Sequence, residues 1–391
     1  MTRLIRCAVV FILLAVSVES LYAQTSLTGA NVITTGVPFL TIAPDSRAAG
    51  LGDAGVGTSP DVNAQHWNPA KYAFIESDMG VALSYSPWLR SLVNDINLAY
   101  LVGYKKLDEF QTISSSLRYF TLGDIAFTDL NGESMGQMSP NEFAIDLGYT
   151  RLLSDRWAGA VAIRYIRSDL TGGQLINGVE SHAGNSYAAD VAFYYMNEFQ
   201  TRTSENLFSA GINIQNIGAK ISYTDGEIKD FIPTNLKLGM AYTTELDDYN
   251  TFTFAADINK LLVPTPPRDT TTYDPGAIIY PGGINSDKSV VGGMFTSFND
   301  APGGFKEELQ EVTISAGVEY WYNKQFALRA GYFYEHENKG NRKFMTAGAG
   351  LKLNVFSLDF AYLLPIVRNH PLENTLRFTL SFDVDAFSGQ N

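Results

Sequence analysis

Segments in which apolar residues alternate with small or polar ones recur from Met79 onward and constrain the fold of this chain more than any other feature. In residues 141–150, for example, Phe143, Ile145, Leu147 and Tyr149 alternate with small or polar residues. Successive side chains of a β-strand point to opposite faces, so each segment predicts a strand with one apolar face. Fourteen strands are predicted, at residues 79–86, 94–104, 111–120, 141–152, 157–168, 185–196, 206–216, 233–243, 250–260, 312–322, 325–335, 343–353, 355–363 and 375–383.

The lengths of the strands and of their connections favour a barrel in a membrane. Most predicted strands have 9–12 residues, which matches the roughly 9–11 tilted residues that cross a bilayer. Long connections follow the odd-numbered strands and short ones follow the even-numbered strands, as in outer-membrane barrels. We therefore predict an all-β, transmembrane antiparallel β-barrel of about 14 strands over residues 79–383. Residues 384–391 would be a periplasmic tail, and both termini would be periplasmic.

Composition excludes several other classes of protein. The chain has 28 basic and 41 acidic residues, a formal charge of −13, and no basic tract, which argues against nucleic-acid binding. A single cysteine, Cys7, excludes a disulfide scaffold and a thiolate metal cluster. No stretch after the N-terminus has 18 consecutive apolar residues, so helices are not the predicted means of crossing a membrane.

Residues 1–23 have the three parts of a secretory signal peptide. Arg3 and Arg6 precede an uncharged apolar run at residues 8–18, and the small residue Ala23 stands at a suitable cleavage position. The apolar run is shorter than the roughly 20 residues of a spanning helix, although an uncleaved anchor is the alternative. Cleavage would remove Cys7, and the protein would be exported.

Charged residues recur on the polar faces of the predicted strands, with five of each sign. A basic side chain facing lipid at the bilayer midplane costs about 2–4 kcal/mol, so these residues should face the lumen. We expect them to pair across the barrel interior, and the alternative is a charge-selective pore. The predicted lumen charges are Arg118, Asp146, Arg164, Asp190, Lys237, Asp257, Glu319, Arg329, Asp359 and Arg377. Eight tyrosines near strand ends, Tyr100 and Tyr104 among them, are expected at the membrane interfaces.

Residues 24–78 lack the alternation and contain closely spaced glycines, including Gly50, Gly52, Gly55 and Gly57. A compact glycine-rich segment before a barrel favours a plug, or hatch, inside the lumen. The alternative is a loosely ordered periplasmic lead.

Residues able to carry catalysis or bind a metal are few. The four histidines, at 66, 182, 336 and 370, have no metal-ligand spacing. Residues 50–55 match Gly-x-Gly-x-x-Gly but lack the βαβ context of a nucleotide site. Residues 129–133 resemble the start of a calcium loop, but a hairpin turn is favoured because the glutamate expected at position twelve is missing. No cofactor or metal is predicted, and an enzyme is the least favoured class.

The connection at residues 261–311 is unusually long and rich in apolar residues. Loops of this length are usually functional or disordered, and exposed apolar groups need cover. They could fold over the barrel mouth, dock on a partner protein or bind a hydrophobic ligand. The candidate partner-binding residues are Ile279, Tyr280, Met294, Phe295 and Phe298.

Two stretches of the N-terminal segment carry a resemblance to known families. Residues 48–55 (AAGLGDAG) and 67–70 (WNPA) resemble the N-terminal segment of FadL-type transporters, which have a fourteen-stranded barrel and a hatch with an Asn-Pro-Ala motif. Residues 38–47 (PFLTIAPDSR) and 65–72 (QHWNPAKY) are similar to the signature of the PorV family, the FadL-like proteins of type IX secretion. The hatch positions that this resemblance marks are Gly50, Gly52, Asp53, Gly55, Asn68, Pro69 and Ala70.

The resemblance implies a non-enzymatic function in the bacterial outer membrane. PorV-family proteins accept cargo with a C-terminal secretion signal at the translocon barrel. They pass it to a sortase-like attachment partner, which links cargo to lipopolysaccharide at the cell surface. The family has also been connected with lipopolysaccharide deacylation, for which this sequence has no convincing hydrolase site. The alternative function is a FadL-like channel for a hydrophobic small molecule.

Overall fold

Fourteen antiparallel strands of the described chain close into a barrel in the computed structural model. The described residues are 30–384 without 90–92, 94, 129–133, 174, 177–178, 203, 226–228, 267–287, 368–371 and 374. Each barrel strand pairs with its neighbours in chain order, and pairing of the first strand with the last closes the sheet, with Leu83 opposite Leu380. The predicted antiparallel barrel of about 14 strands is confirmed.

The barrel strands follow one another in the predicted order, with two additional hairpins in the long connections, whereas the short helices were not predicted. The strands are β1 (Met79–Pro87), β2 (Ile96–Lys106), β3 (Gln111–Leu122), β4 (Ile125–Thr128), β5 (Ser134–Met138), β6 (Asn141–Ser154), β7 (Trp157–Asp169), β8 (Leu175–Ile176), β9 (Val179–Glu180), β10 (Gly184–Gln200), β11 (Glu205–Gly218), β12 (Asn235–Glu245), β13 (Asn250–Leu261), β14 (Thr313–Tyr322), β15 (Phe326–Tyr334), β16 (Lys343–Lys352), β17 (Phe356–Pro365) and β18 (Leu376–Asp383). The helices are α1 (Ser46–Gly50), α2 (Ala64–Trp67), α3 (Val290–Thr296) and α4 (Phe305–Gln310), with 3₁₀ turns η1 (Pro38–Thr41), η2 (Pro69–Phe74) and η3 (Glu337–Lys339). None of the described helices is long and apolar enough to cross a membrane.

The hairpins β4–β5 and β8–β9 stand apart from the barrel sheet. β4 and β5 flank residues 129–133, the predicted hairpin turn, which lies outside the described residues. The predicted strand bounds agree with the barrel strands to within two residues, except that β10 runs on to Gln200. The short turns use backbone that suits tight hairpins, as at Asn323 and Lys324, whose φ angles are 54° and 52°.

The outer face of the barrel is apolar and the inner face holds most of the buried polar groups. Leu147, Val161 and Ile163, for example, are exposed on the outside, where a membrane would cover them. Tyr100 and Tyr104 correct the sequence interpretation, because both are buried in the lumen, at 1% and 4% exposure. The inner face of β2 is apolar because it packs on the N-terminal segment.

The N-terminal segment crosses the lumen from one end of the barrel to the other. Asn31 N donates to Asn338 O at 2.9 Å, at the end that carries the long connections, which we call the long-connection end. Lys106 Nζ donates to Glu76 O at 3.2 Å, at the opposite, short-turn end. β1 begins and β18 ends at the short-turn end, where Val384 N donates to Met79 O. The start of β1 and the end of β18 thus lie at the short-turn end, whereas Asn31 lies at the other end.

Candidate functional site

The segment that fills the lumen is built from short helices with capped ends. The Asp45 carboxylate accepts a hydrogen bond from Ala48 N at 3.0 Å and so caps α1. The same carboxylate accepts from Trp67 Nε1 at 2.6 Å, which joins α1 to α2. We call residues 45–74 the hatch, and the hatch together with the inner-wall side chains that contact it the hatch seat.

The Asn-Pro-Ala stretch is both a helix start and a wall contact. Asn68 Oδ1 accepts from Ala70 N at 3.0 Å, and Pro69 occupies the first position of η2, where its missing N–H has no cost. Asn68 Nδ2 donates to Phe193 O on β10 at 2.9 Å. Ala70 is fully buried against Ala158, Ala192 and neighbouring residues of the wall. These three residues fix the hatch on the β7–β10 side.

The glycines allow the hatch backbone to touch the wall backbone. Gly52 has φ +72°, and a Cβ atom there would lie 2.5 Å from Tyr332 N on β15. At Gly57 a Cβ atom would overlap the backbone of Met240 on β12. A larger residue at either position would have to move the hatch off the wall. The Gly-x-Gly-x-x-Gly stretch is therefore a packing feature in the lumen.

Charged side chains of the wall form hydrogen bonds directly with groups of the hatch. Asp257 Oδ2 on β13 accepts from the backbone N–H groups of Gly55 and Val56, at 2.7 and 2.8 Å. Arg377 Nη1 on β18 donates to Asp53 Oδ1 at 2.9 Å. Charge-assisted bonds of this kind are stronger than neutral ones, so they hold the glycine-rich turn in place.

A buried ion network links α1 to the β14–β17 side of the wall. Glu319 is 1% exposed and pairs with Arg47 of the hatch at 2.9 Å and with Arg329 at 2.6 Å. Arg47 also pairs with Asp61 at 2.8 Å, and Arg329 pairs with Asp359 at 2.5 Å. Burial alone would lower the pKa of Arg47, but Glu319 and Asp61 raise it, so Arg47 stays charged.

A second network lies within the wall on the β6–β11 side. Arg164 pairs with Asp146 at 2.5 Å and with Asp190 at 3.1 Å, and it also donates to Asn216 Oδ1. Asn216 has φ 58° and lies where the pairing of β10 with β11 shifts register. Gln215 and Asn216 are both buried there, so the irregularity turns two consecutive polar side chains inward.

Arg118 has a different type of partner. Its Nη1 donates to Leu40 O at 2.7 Å and its Nη2 contacts His66 Nδ1 at 2.5 Å. Arginine only donates, so His66 Nδ1 accepts and the proton of the neutral ring is on Nε2. His66 Nε2 is buried with no hydrogen-bond partner in the described chain.

Titration of the hatch groups follows from their burial. Burial, with the negative charge of Asp61 second, raises the pKa of Asp45 to about 6. Burial, followed by the charges of Lys237 and Arg118, holds the pKa of His66 well below its usual value. Burial also lowers the pKa of Lys71, whose Nζ donates to Gly55 O at 3.0 Å.

The described part of the long connection is fixed to the mouth by a third set of buried ions. Lys260 pairs with Glu308 at 2.9 Å and Glu311 at 2.6 Å. Lys339 pairs with Glu307 at 2.8 Å and again with Glu311 at 3.0 Å. This mouth ion cluster holds α4 between the end of β13 and η3. The start of the described chain joins it through Asn31 Nδ2, which donates to Glu307 at 3.0 Å.

The candidate partner-binding residues separate into three groups. Phe295 is 77% exposed and Phe298 is also exposed, on and just after α3. Met294 is half-buried. Ile279 and Tyr280 lie outside the described residues. On α4, Phe305 and Leu309 are exposed as well.

A cavity of about 380 Å³ lies at the long-connection end, between the N-terminal segment and the wall. We call it the mouth cavity. Its boundary includes residues 32–35 of the N-terminal segment and paired charges such as Glu335 with Arg342. The further lining residues used below are Trp67, Asn235, Lys237, Leu261 and Phe333.

Nothing in the described chain is arranged as a metal site: no three His, Cys, Asp or Glu side chains converge on one point. His182 lies 3.4 Å from Asp225, and His336 caps η3. His370 lies outside the described residues.

All ten predicted lumen charges are buried inside the barrel, but sequence reasoning missed the groups that pair with several of them. Arg47 and Asp61 lie in the segment without alternation, so no pattern indicated where they point. The mouth ion cluster was missed too, although the closely spaced Glu307, Glu308 and Glu311 were a visible acidic group within an apolar connection.

Comparison with known proteins identifies the family. The chain matches the family model described as type IX secretion system protein PorV over residues 25–268. The chain belongs to the PorV family. PorV proteins are components of type IX secretion, and the closed barrel described above is an outer-membrane barrel. No curated protein sequence matches the chain.

Several solved barrels are similar in structure. The Pseudomonas putida toluene transporter TodX has 10% identity and a TM-score of 0.48, over 90% of this chain and 98% of that one. A Pseudomonas aeruginosa FadL homologue has 9% identity and a TM-score of 0.42, over 90% and 99% of the two chains. The Ralstonia pickettii toluene transporter TbuX has 8% identity and a TM-score of 0.45, over 86% and 97%.

Proposed function

We propose that this PorV-family barrel carries secreted proteins at the cell surface without catalysing a reaction itself. It would accept cargo with a C-terminal secretion signal at the type IX translocon barrel. It would then bring the cargo to a sortase-like attachment partner that links it to lipopolysaccharide. Membership of the PorV family supports a component of type IX secretion, and the shuttle step is our inference from the surface described next.

The exposed aromatic surface of α3 and α4 carries this proposal. Phe295 and Phe305 are 77% and 75% exposed, although the mouth ion cluster fixes α4 to the barrel. Aromatic residues are enriched in protein interfaces, and exposed apolar patches commonly mark them. The part of this surface on α4 is held by buried ion pairs, so Phe305 is ordered before a partner arrives, which lowers the entropic cost of binding.

The hatch supports a sealed platform in preference to an open pore. Backbone contacts at Gly52 and Gly57 and the ion network at Glu319 occupy the lumen from several sides. A purified barrel with a large, stable conductance in a planar bilayer would contradict this part of the proposal.

The shuttle is tested in cells by the double variant Phe295→Ser/Phe305→Ser. We expect cargo to accumulate in the periplasm and to disappear from the surface, as measured by protease shaving of intact cells. The matched control is Leu246→Ser/Tyr249→Ser, which removes two exposed apolar residues from the short-turn end. Normal surface delivery by the first variant, at wild-type levels of folded barrel, would reject the proposal.

The rival function is a channel for a hydrophobic small molecule, and the mouth cavity is the observation that favours it. Copurification from the native membrane separates the two functions. Recovery of a translocon barrel or cargo protein supports the shuttle. Recovery of a bound lipid and no protein supports the channel.

A further inference from the structure

Lys237 on β12 is the starting point, because it is a buried cation that forms no ion pair in the described chain, although the negative charges of Asp257 and Asp190 act on it. It lines the mouth cavity and is 6% exposed. Its ammonium lies 4.8 Å from the centroid of the Trp67 ring. Within the described chain, it has no carboxylate at ion-pair distance and no hydrogen-bond acceptor. An unpaired buried charge is costly, so this position favours binding of an anion.

The acidic residues on the neighbouring strands have other partners, although Asp257 Oδ1 is buried without a hydrogen bond in the described chain. Asp190 pairs with Arg164 and accepts from Asn216 N at 2.7 Å. Asp257 accepts from two hatch amides through Oδ2. The charged groups along the cavity boundary also have partners, since Arg342 pairs with Glu335 and Lys339 with Glu311. Lys237 therefore has acidic neighbours but no direct ion pair, and it lies beside an open space.

A second polar group in the cavity also lacks a partner. Asn235, two residues before Lys237 on the same strand, lines the cavity, and its Oδ1 is buried with no hydrogen-bond partner in the described chain. Residues two apart on a strand share a face. Lys237 and Asn235 therefore line the same side of the cavity, one as a cation and the other as a neutral amide with an unused acceptor.

The size and walls of the cavity limit what can enter. Its volume of about 380 Å³ lies at the small end of ligand pockets, so a folded domain is excluded. Trp67, Leu261 and Phe333 supply apolar lining next to the polar pair. The chemistry that fits is a carboxylate with an adjacent N–H donor and an apolar group.

We propose that the mouth cavity binds the C-terminal carboxylate of a cargo chain. Lys237 would pair with the carboxylate, Asn235 Oδ1 would accept a backbone N–H near the chain end, and an apolar terminal side chain would pack on Trp67 and Phe333. The C-terminus is the one part of a peptide backbone that is narrow enough to enter and carries a negative charge. This inference rests on the proposed shuttle function and names the part of the cargo that the site recognises.

The test uses the full-length barrel in detergent micelles and two fluorescein-labelled probes. One is the peptide Gly-Gly-Val-Leu-Val with a free C-terminal carboxylate, and the other is the same peptide as its C-terminal amide. We expect the acid to bind about tenfold more tightly than the amide, the effect of one charge-assisted bond. Lys237→Gln should abolish this preference, and Lys237→Arg should retain it.

The control variant is Lys343→Gln. Lys343 also lies beside an aromatic ring, that of Tyr334 at 5.4 Å, but it is not part of the cavity lining. Its substitution should leave the preference for the acid unchanged. Equal binding of acid and amide by the wild type, or a preference that survives Lys237→Gln, overturns the inference. Binding of decanoate that depends on Lys237, with no binding of either peptide, also overturns it and indicates a site for small amphiphiles.

Failure of this inference is distinguishable from failure of the shuttle. If cells without the protein lose surface cargo but the peptides do not bind, the shuttle stands and the carboxylate site is wrong. If the acid binds through Lys237 but cells without the protein deliver cargo normally, the site stands as a peptide-binding site and the shuttle is wrong.

Discussion

The hatch seat and the mouth cavity lie in the same lumen but treat buried charge in opposite ways. In the hatch seat, Arg47 and Arg329 converge on Glu319, and Arg377 meets Asp53. At the mouth cavity, Lys237 is equally buried but forms no ion pair in the described chain, and Asp257 and Asp190 act on it only as charged neighbours. Breaking a buried ion pair is strongly destabilising, so the seat is the region where substitutions should affect stability. The cavity is where they should affect binding.

The largest effect is expected from Glu319→Gln. This change leaves Arg47 and Arg329 buried with one negative partner fewer, and loss of such a partner costs about 3–5 kcal/mol. Urea titration of the barrel in micelles measures the free energy of unfolding. Glu245→Gln is the control, because Glu245 pairs with the exposed Lys324 at 2.9 Å and should cost less than about 1 kcal/mol. Equal losses for the two variants would show that the network does not hold the hatch.

A second large effect should follow from adding one methyl group at Gly52. Gly52 and Gly304 have nearly equal φ angles of +72° and +66°, but Gly52 faces the backbone of Tyr332 and Gly304 faces open space. Alanine at either position costs about 1–2 kcal/mol for the left-handed backbone. Gly52→Ala should cost about 1–3 kcal/mol more because it overpacks the wall. The difference between the two unfolding free energies isolates the hatch contact, and no difference would mean that the hatch moves aside freely.

The pH dependence of stability should contain two opposing contributions from the hatch. Asp45 has its pKa raised from 3.8 to about 6, so the folded protein retains a proton that the unfolded chain releases. Its contribution to stability therefore decreases as the pH rises from about 4 to 6, by at most about 3 kcal/mol. His66 has its pKa lowered from 6.5. The unfolded chain then binds the extra proton, and stability decreases as the pH falls below 6.5.

Single variants separate these contributions. Asp45→Asn removes the first, so its unfolding free energy should fall on acidification from pH 6.5 to 4 more steeply than that of the wild type. His66→Gln keeps an acceptor for Arg118 and removes the second, so its stability should rise relative to the wild type over the same range. Parallel pH profiles for all three proteins would contradict the burial of these groups.

The difference between the barrel strands and the hatch explains which features the sequence could predict. Strand alternation from Met79 onward predicted the barrel and the inward direction of the ten charges, because a strand has a fixed period of two. The hatch has no such period, so the position of Arg47 opposite Glu319 depended on tertiary contacts that leave no local pattern. Tyr100 was misassigned for a related reason: alternation separates two faces but does not say which face the hatch covers. The open space beside Lys237 is likewise a property of packing.

The smallest effect on stability is expected at the exposed surface of the mouth. Phe295 is 77% exposed, and surface substitutions away from special features usually change stability by less than about 0.5 kcal/mol. Phe295→Ser should therefore unfold in urea like the wild type, whereas Phe333→Ser, which removes a buried ring that stacks on Phe344 at 4.8 Å, should lose several kcal/mol, about 3–5. If Phe295→Ser were as destabilised as Phe333→Ser, the aromatic surface of α3 would be part of the folded core. That surface could not then be free for a partner. The proposed difference, in which the hatch seat stabilises the fold and the mouth binds partners, would be wrong.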